Sequence, residues 1–228
     1  MDRWIPVEST TIPGSDIELC LSRRNDDFAI RIAGQPGDLM NSRMHHSEDA
    51  LAEFACARLG GIENARVLVG GLGMGFTLAA VLETVGASAE VIVAELVPAV
   101  VEWNRGLLGR CAGRPVEDDR TRVYLGDVAD LLQQDPGKFD AILLDVDNGP
   151  EAMTHAGNQW LYSMAGLTKI FDKLRPESIA TIWSARADRL FASRLKKIGF
   201  NVQSRTVRSR PGKGSRHTIF VAKKPCGE

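Results

Sequence analysis

The stretch Arg66-Val-Leu-Val-Gly-Gly-Leu-Gly-Met-Gly-Phe-Thr-Leu78 decides the fold. Arg66–Val69 reads as a short buried strand running straight into glycines, and helical apolar spacing follows from Phe76 to Val85. Glycines permit tight turning and close backbone approach, and the free amides of a helix N-terminus can meet a ligand. A dinucleotide loop needs Gly-x-Gly-x-x-Gly, but counted from Gly71 its last position falls on Phe76. What stands here is Gly-x-Gly-x-Gly, at Gly71, Gly73 and Gly75. The plain alternative is a strand-to-helix turn without a ligand, and three alternating glycines at this place weigh against it.

Outward from the loop, strands and helices alternate. Glu90–Glu95, Thr121–Leu125, Phe139–Asp145 and Ile179–Trp183 read as strands. Pro98–Leu108, Asp127–Gln134, Gln159–Leu174 and Asp188–Ile198 read as helices. Phe200–Val207 and Thr218–Ala222 read as a closing hairpin across a long basic loop. This predicts an α/β protein with a doubly wound, mostly parallel seven-stranded sheet and an antiparallel element at one edge. Ahead of it, Ile17, Leu19 and Leu21, then Phe28, Ile30 and Ile32, alternate around a polar turn and predict a β-hairpin. Ser47-Glu-Asp-Ala opens the first helix, with Ser47 as the expected N-cap. The expected division is a short N-terminal β region over residues 1–46 and a nucleoside-binding domain over 47–228.

Composition narrows the function classes. The 228 residues carry 28 basic and 29 acidic side chains, for a net charge of -1, so no global field recruits nucleic acid or membrane. The four cysteines (Cys20, Cys56, Cys111, Cys226) form no CxxC, which argues for reduced thiols and against zinc. No signal peptide and no membrane-spanning apolar run is read, and a cytoplasmic location is expected.

The glycine spacing resembles the adenosyl-binding loop of the class I S-adenosylmethionine-dependent methyltransferase-like Rossmann fold. Glu95 ends the next strand, where a carboxylate can accept both hydroxyls of a ribose. Asp127 follows the third strand, where that fold sets an acid against the adenine amino group. Asp145 ends the fourth, and ligands of open α/β sheets bind at such carboxyl ends. Asp147 lies two further on and shares a face with Asp145 if the strand continues, so the two could hold a cation or bias each other's proton affinity. The plain alternative here is an Asp/Asn-Gly turn.

The order Val67–Leu78, Glu95, Gly126-Asp127 and Phe139–Asp145 is similar to the spermidine synthase (polyamine aminopropyltransferase) family. The resemblance spans roughly Leu39 to Phe200. It implies transfer of an aminopropyl group from decarboxylated S-adenosylmethionine to an amine, release of methylthioadenosine, a homodimer and no metal. Carried over, Gly71, Gly73, Met74 and Gly75 line the sulfonium side chain, Glu95 meets the ribose and Asp127 the adenine. Asp145 matches the first aspartate of the family's Asp-Ser-Ser-Asp-Pro segment and takes the proton from the amine. Outside the carried-over positions, Asp147 and Trp183 are expected toward the substrate, and Trp183, at a strand end, could border the nucleoside.

Three departures stand out. The family's Gly-Gly-Gly-Asp-Gly-Gly loop carries an aspartate that pairs with the aminopropyl ammonium, and here that position is Met74. The family's second catalytic-loop aspartate lies three after the first, where this chain has Asn148, with Asp147 one earlier. No clear match to the substrate-binding Tyr-x-Glu segment is found, and Arg43-Met-His-His-Ser-Glu48 lies there instead.

Other features read more blandly. His45 and His46 suit a helix entry, His155 could edge the cleft, and Trp160 and Tyr162 sit at core spacing. Arg205, Arg208, Arg210, Lys213, Arg216 and His217 crowd the last hairpin with few aromatics, which favours a solvated tip or subunit contact over nucleic acid. The leading expectation is an aminopropyltransferase acting on a small amine. The alternatives are a methyltransferase using intact S-adenosylmethionine, and a nucleoside-binding protein whose catalytic site has decayed. The usual methyltransferase loop has an acid where this chain has Val69, which counts against the first alternative.

Overall fold

The computed structural model describes residues 3–57, 59–146 and 158–226. Four strands, β1 (Ile5–Thr11), β2 (Glu18–Arg24), β3 (Asp27–Ile32) and β4 (Met40–Asn41), form an antiparallel N-terminal sheet in that order. The expected hairpin is its middle pair, with Leu21 facing Ile30 across the ladder.

The main sheet has seven strands in the order β10-β11-β9-β8-β5-β6-β7. They are β5 (Arg66–Gly70), β6 (Glu90–Glu95), β7 (Thr121–Leu125), β8 (Phe139–Leu144), β9 (Leu174–Ser184), β10 (Asn201–Arg210) and β11 (Lys213–Lys223). β5 to β9 run parallel, while β11 is antiparallel to both neighbours. The chain leaves β5 toward β6 on one side and later returns through β8 on the other. The carboxyl ends of β5 and β8 therefore flank the crevice where open α/β sheets bind ligands.

Seven helices accompany the strands: α1 (His46–Cys56), α2 (Phe76–Thr84), α3 (Pro98–Arg105), α4 (Val128–Gln134), α5 (Asn158–Leu161), α6 (Met164–Lys173) and α7 (Arg189–Ile198) among the described residues. β8 is buried along its whole length, as expected of a strand covered on both faces. Ala141 and Leu143 pack toward α1, α2 and α3, and the alternate Ile142 and Leu144 toward α4, α6 and α7. Both faces are apolar, so the sequence shows a continuous run instead of an alternation. Each Leu or Ile among them contributes about 1.5–3 kcal/mol by leaving water. The N-terminal sheet shares the first of these cores through Leu19, Leu21, Phe28 and Ile30. Trp103 Nε1 of α3 also donates to Glu8 of β1.

Three expectations are corrected. The N-cap position of α1 is His45, without a side-chain cap, because Ser47 Oγ turns to donate to Glu48 Oε2 at 2.5 Å. The helix read over 159–174 is two, α5 and α6, divided at Ser163, whose hydroxyl caps α6 by accepting from Gly166 N. The long basic loop is strand: β10 and β11 stay paired out to Arg210 opposite Lys213, and Pro211-Gly212 makes the turn.

Candidate active site

The carboxyl ends of β5, β6, β7 and β8 bring the predicted residues together. Gly71, Gly73 and Gly75 take φ of +92°, +52° and +85°, in the left-handed region that favours glycine. Each also faces a different neighbour. A Cβ on Gly71 would stand 2.4 Å from the Asp145 carbonyl oxygen, on Gly73 2.9 Å from Met40 Sδ, and on Gly75 2.9 Å from Asn104 Oδ1. The loop is thus wedged between β8, the N-terminal sheet and α3. Asn104, fully buried on α3, secures it by donating from Nδ2 to the Gly73 carbonyl at 2.8 Å.

Glu95 is buried, and both of its oxygens are engaged. Oε2 accepts from Leu72 N at 3.0 Å and Oε1 from Val97 N at 2.8 Å. Burial raises its pKa, and these amide bonds oppose the rise. Asp127 is the N-cap of α4, its Oδ1 accepting from Ala129 N at 2.8 Å. With Gly71, Gly73 and Asp145, both acids line a cavity of about 770 Å³, its open mouth included. Leu19 and Ile30 of the N-terminal sheet, with Ile12 just after β1, contribute to its apolar wall.

Asp145 follows β8 directly, its N–H donating to the Gly70 carbonyl at 2.8 Å. Thr77 Oγ1, in the first turn of α2, donates to Asp145 Oδ2 at 2.7 Å. Asp145 also lines a second cavity of about 600 Å³ on the same measure, with Glu48, Met74, Phe76 and Trp183. Desolvation raises the pKa of Asp145 to about 6, against the Thr77 hydrogen bond. Glu48 rises to about 8, first through burial and then through repulsion by Asp145. Each carboxyl therefore keeps its proton to a higher pH than an isolated one would.

No protein-family model matches the chain, and no curated protein matches it by sequence. Solved structures do match in shape. One is a spermidine synthase in complex with the transition state analogue AdoDATO, with a TM-score of 0.74 and 16% identity over 97% of this chain and 73% of that one. Another is spermidine synthase from Thermotoga maritima, with a TM-score of 0.75 and 17% identity over 97% of this chain and 74% of that one. The fold is that of spermidine synthases.

Within this spermidine synthase-like fold, the expected site residues divide as follows. Gly71, Gly73, Glu95, Asp127 and Asp145 surround one cavity. Met74 and Trp183 line the other, and Gly75 packs behind the loop against Asn104 and Pro115. Asp147, Asn148 and His155 lie outside the described residues. His45 stacks on Phe76 with ring centroids 4.4 Å apart, and its Nδ1 pairs with Asp49 at 2.9 Å. Tyr162 is core, packed edge-on against Phe191. Among the described residues no group of three or more His, Cys, Asp or Glu could hold a metal ion, and no helix is long and apolar enough to cross a membrane.

Sequence reasoning missed Glu48 and Thr77. Thr77 sits within the glycine-loop motif, which alone gives it no role. Glu48 looked like an ordinary acid in the first turn of a helix, favourable to the macrodipole wherever it points. The one available signal is its place in Arg43–Glu48, which stands where the resemblance calls for Tyr-x-Glu.

Proposed function

We propose that the protein transfers an aminopropyl group from decarboxylated S-adenosylmethionine to an amine. The observation that carries this reading is the position of Asp145, which lines both cavities. The first cavity suits the adenosyl donor, with Glu95 toward the ribose and Asp127 toward the adenine. The second suits the acceptor. At their junction Asp145 takes a proton from the incoming ammonium. The freed nitrogen lone pair attacks the propyl carbon bonded to the sulfonium sulfur. A C–N bond forms, and the C–S bond breaks with its electron pair returning to sulfur. Neutral methylthioadenosine leaves, and the positive charge passes to the product nitrogen. A carboxylate with a raised pKa lies closer to an alkylammonium, near 10 by analogy with lysine, and so makes a better proton acceptor than an ordinary aspartate.

Charge supports the decarboxylated donor over intact S-adenosylmethionine. No described residue lining either cavity is Lys, Arg or His. The α-carboxylate of the intact compound would meet Glu48 and Asp145 without a cation to pair with, whereas the ammonium of the decarboxylated one meets carboxylates. A small-molecule amine is accordingly the expected partner substrate, and the homodimer remains an expectation from the resemblance. The reading is tested by incubating the protein with each donor and a pool of amines and following methylthioadenosine and S-adenosylhomocysteine by mass spectrometry. Methylthioadenosine that depends on Asp145 supports it. S-adenosylhomocysteine alone would make the protein a methyltransferase, and neither product with retained nucleoside binding would favour the decayed site.

A further inference from the structure

The net charge of -1 conceals a segregation. Residues 189–228 carry eleven of the 28 basic side chains and one acid, Glu228, so this stretch is +10. The first 188 residues, with 17 basic and 28 acidic, are -11. The positive stretch is α7 and the closing ribbon of β10 and β11. In the outer ribbon the register fixes where the cations stand. Arg208 is directly opposite Arg216, and Arg210 is opposite Lys213. Arg208 and Arg210 alternate by two along β10, so they share a face with each other and with their partners across the ladder. Three of these four cations are exposed, and Arg208 is half-buried, its Nη1 donating to the Gly214 carbonyl at 3.3 Å. Ser204 and Thr206 continue that face along β10 as exposed hydroxyls. The opposite face holds the ribbon to the body. There Val207 packs on the apolar core, Ser209 is buried, and the His217 ring lies on Trp183 with centroids 4.7 Å apart.

We propose that the Arg208–Arg216 face of this ribbon binds the sugar-phosphate backbone of duplex DNA. Like charges directly opposite one another destabilise a ladder, and two such pairs in succession are relieved by an anion lying along both strands. Guanidinium groups match phosphate oxygens in fork geometry, and the hydroxyls of Ser204 and Thr206 can donate to the same backbone. A two-stranded ribbon is narrow enough for the major groove of B-DNA. No aromatic side chain stands from Asn201 to Arg216 to stack an unpaired base, which favours a duplex over a single strand. The tip, Arg210 to Ser215, has no large apolar side chain to enter a bilayer, which favours nucleic acid over an anionic membrane. Contacts of this kind carry no base sequence preference. None of the four cations lines either cavity, so the proposal stands apart from the aminopropyl reading.

The test titrates the full chain into a labelled, mixed-sequence DNA duplex of about 24 base pairs and follows anisotropy between about 50 and 200 mM salt. The logarithm of the binding constant should fall against the logarithm of salt with a slope of roughly -3 to -4, four phosphates at about 0.9 each. Arg208→Gln combined with Arg216→Gln should flatten that slope by about 2 and weaken binding roughly tenfold or more at the lower salt. Arg105→Gln combined with Arg114→Gln removes equal charge from exposed positions in and after α3 and should change neither quantity. Circular dichroism and Tm confirm that each variant is folded. No saturable binding at the lower salt, a slope indifferent to the ribbon variant, or an equal loss in the α3 variant overturns the proposal. So does ribbon-dependent binding to phosphatidylserine vesicles, or ribbon-dependent self-association in sedimentation, without binding to the duplex.

Discussion

Thr77 Oγ1 donates to Asp145 Oδ2 at 2.7 Å, joining residues 68 apart in sequence across the mouth of the β5–β8 crevice. The bond favours the charged form of Asp145 and restrains the rise that burial imposes. Thr77→Val keeps the shape of this buried side chain and removes the donor. The Asp145 pKa should then climb by roughly one further unit, the scale of a charge-assisted hydrogen bond. Carboxyl NMR titration of the two proteins measures it without relying on turnover. An unmoved or lower pKa would take Thr77 out of the control of Asp145.

The glycine loop gives a graded expectation. At Gly71 a Cβ meets backbone, the Asp145 carbonyl oxygen at 2.4 Å, with φ at +92°. At Gly73 it meets the far end of a flexible side chain, Met40 Sδ at 2.9 Å, with φ at +52°, inside the left-handed basin. Gly73→Ala should therefore cost about 1–2 kcal/mol, and Gly71→Ala distinctly more, because β8 itself would have to move. Urea unfolding of both variants decides the order. Equal losses would mean that the Asp145 carbonyl yields more readily than its place at the end of a buried strand implies.

Glu95 has a structural task beside the proposed ribose contact. Its carboxylate already ties Leu72 N of the loop and Val97 N ahead of α3 to the end of β6. Glu95→Ala strands two buried amides, at a cost of about 2–4 kcal/mol in stability. Thermal unfolding without nucleoside should show a lowered Tm alongside weaker methylthioadenosine binding in calorimetry. A variant of normal Tm that no longer binds nucleoside would confine Glu95 to the ligand.

These residues also mark where the sequence was legible. β5, β8 and the glycine loop could be read because a long apolar run bounded by glycines has few other solutions. β1 could not. Ile5–Thr11 is almost wholly exposed and contains Pro6, so no apolar face advertises a strand. The closing hairpin is legible in its inner part, but its basic outer part reads as loop for a related reason. Arg208 to Arg216 extend the ladder beyond the core, where backbone pairing sets the strand and side chains of any polarity are tolerated. The α5–α6 break was hidden because Trp160, Leu161, Leu167 and Ile170 keep helical spacing across it. Gly166 reveals it only in three dimensions, where a Cβ would stand 2.1 Å from the Trp160 carbonyl oxygen. Glu48 was opaque because which face of α1 it occupies depends on how the N-terminal sheet and Trp183 surround it.

The Glu48–Asp145 pair sets a pH dependence of stability. Glu48 has a folded pKa of about 8 against an ordinary 4.5, so the folded state holds a proton that the unfolded chain releases. Stability from this group is greatest below about pH 4.5 and is lost as the pH rises toward 8. Glu48→Gln removes the titration. The variant should match wild type near pH 4.5 and exceed it by about 1–3 kcal/mol above pH 8, since a half-buried carboxylate repelled by Asp145 has been neutralised. Denaturant unfolding across that range checks the difference. A wild type that gains on the variant as the pH rises would show that Glu48 is paired in a way that stabilises its charge.

Met74 supplies the sharpest separation between resemblance and structure. By resemblance, an aspartate at this position pairs with the aminopropyl ammonium, so Met74 should weaken donor binding and Met74→Asp should restore it. In the fold, however, Met74 is 3% exposed and lines the same cavity as Glu48 and Asp145. A third carboxylate there would enter a space that already holds two acids and, among its described lining residues, no cation. Met74→Asp should therefore destabilise the free protein by about 2–4 kcal/mol at neutral pH, less in acid, where the new carboxyl stays protonated. Adding Glu48→Gln should recover part of that loss, because the repulsion is shared. Thermal unfolding of the two single variants and the double variant forms the cycle. Titration with decarboxylated S-adenosylmethionine then asks whether the ammonium prefers the glycine-loop carboxylate or the one on α1. Additive stability changes, together with tighter donor binding in Met74→Asp, would show that a carboxylate at residue 74 and the one at Glu48 do not repel one another across the cavity.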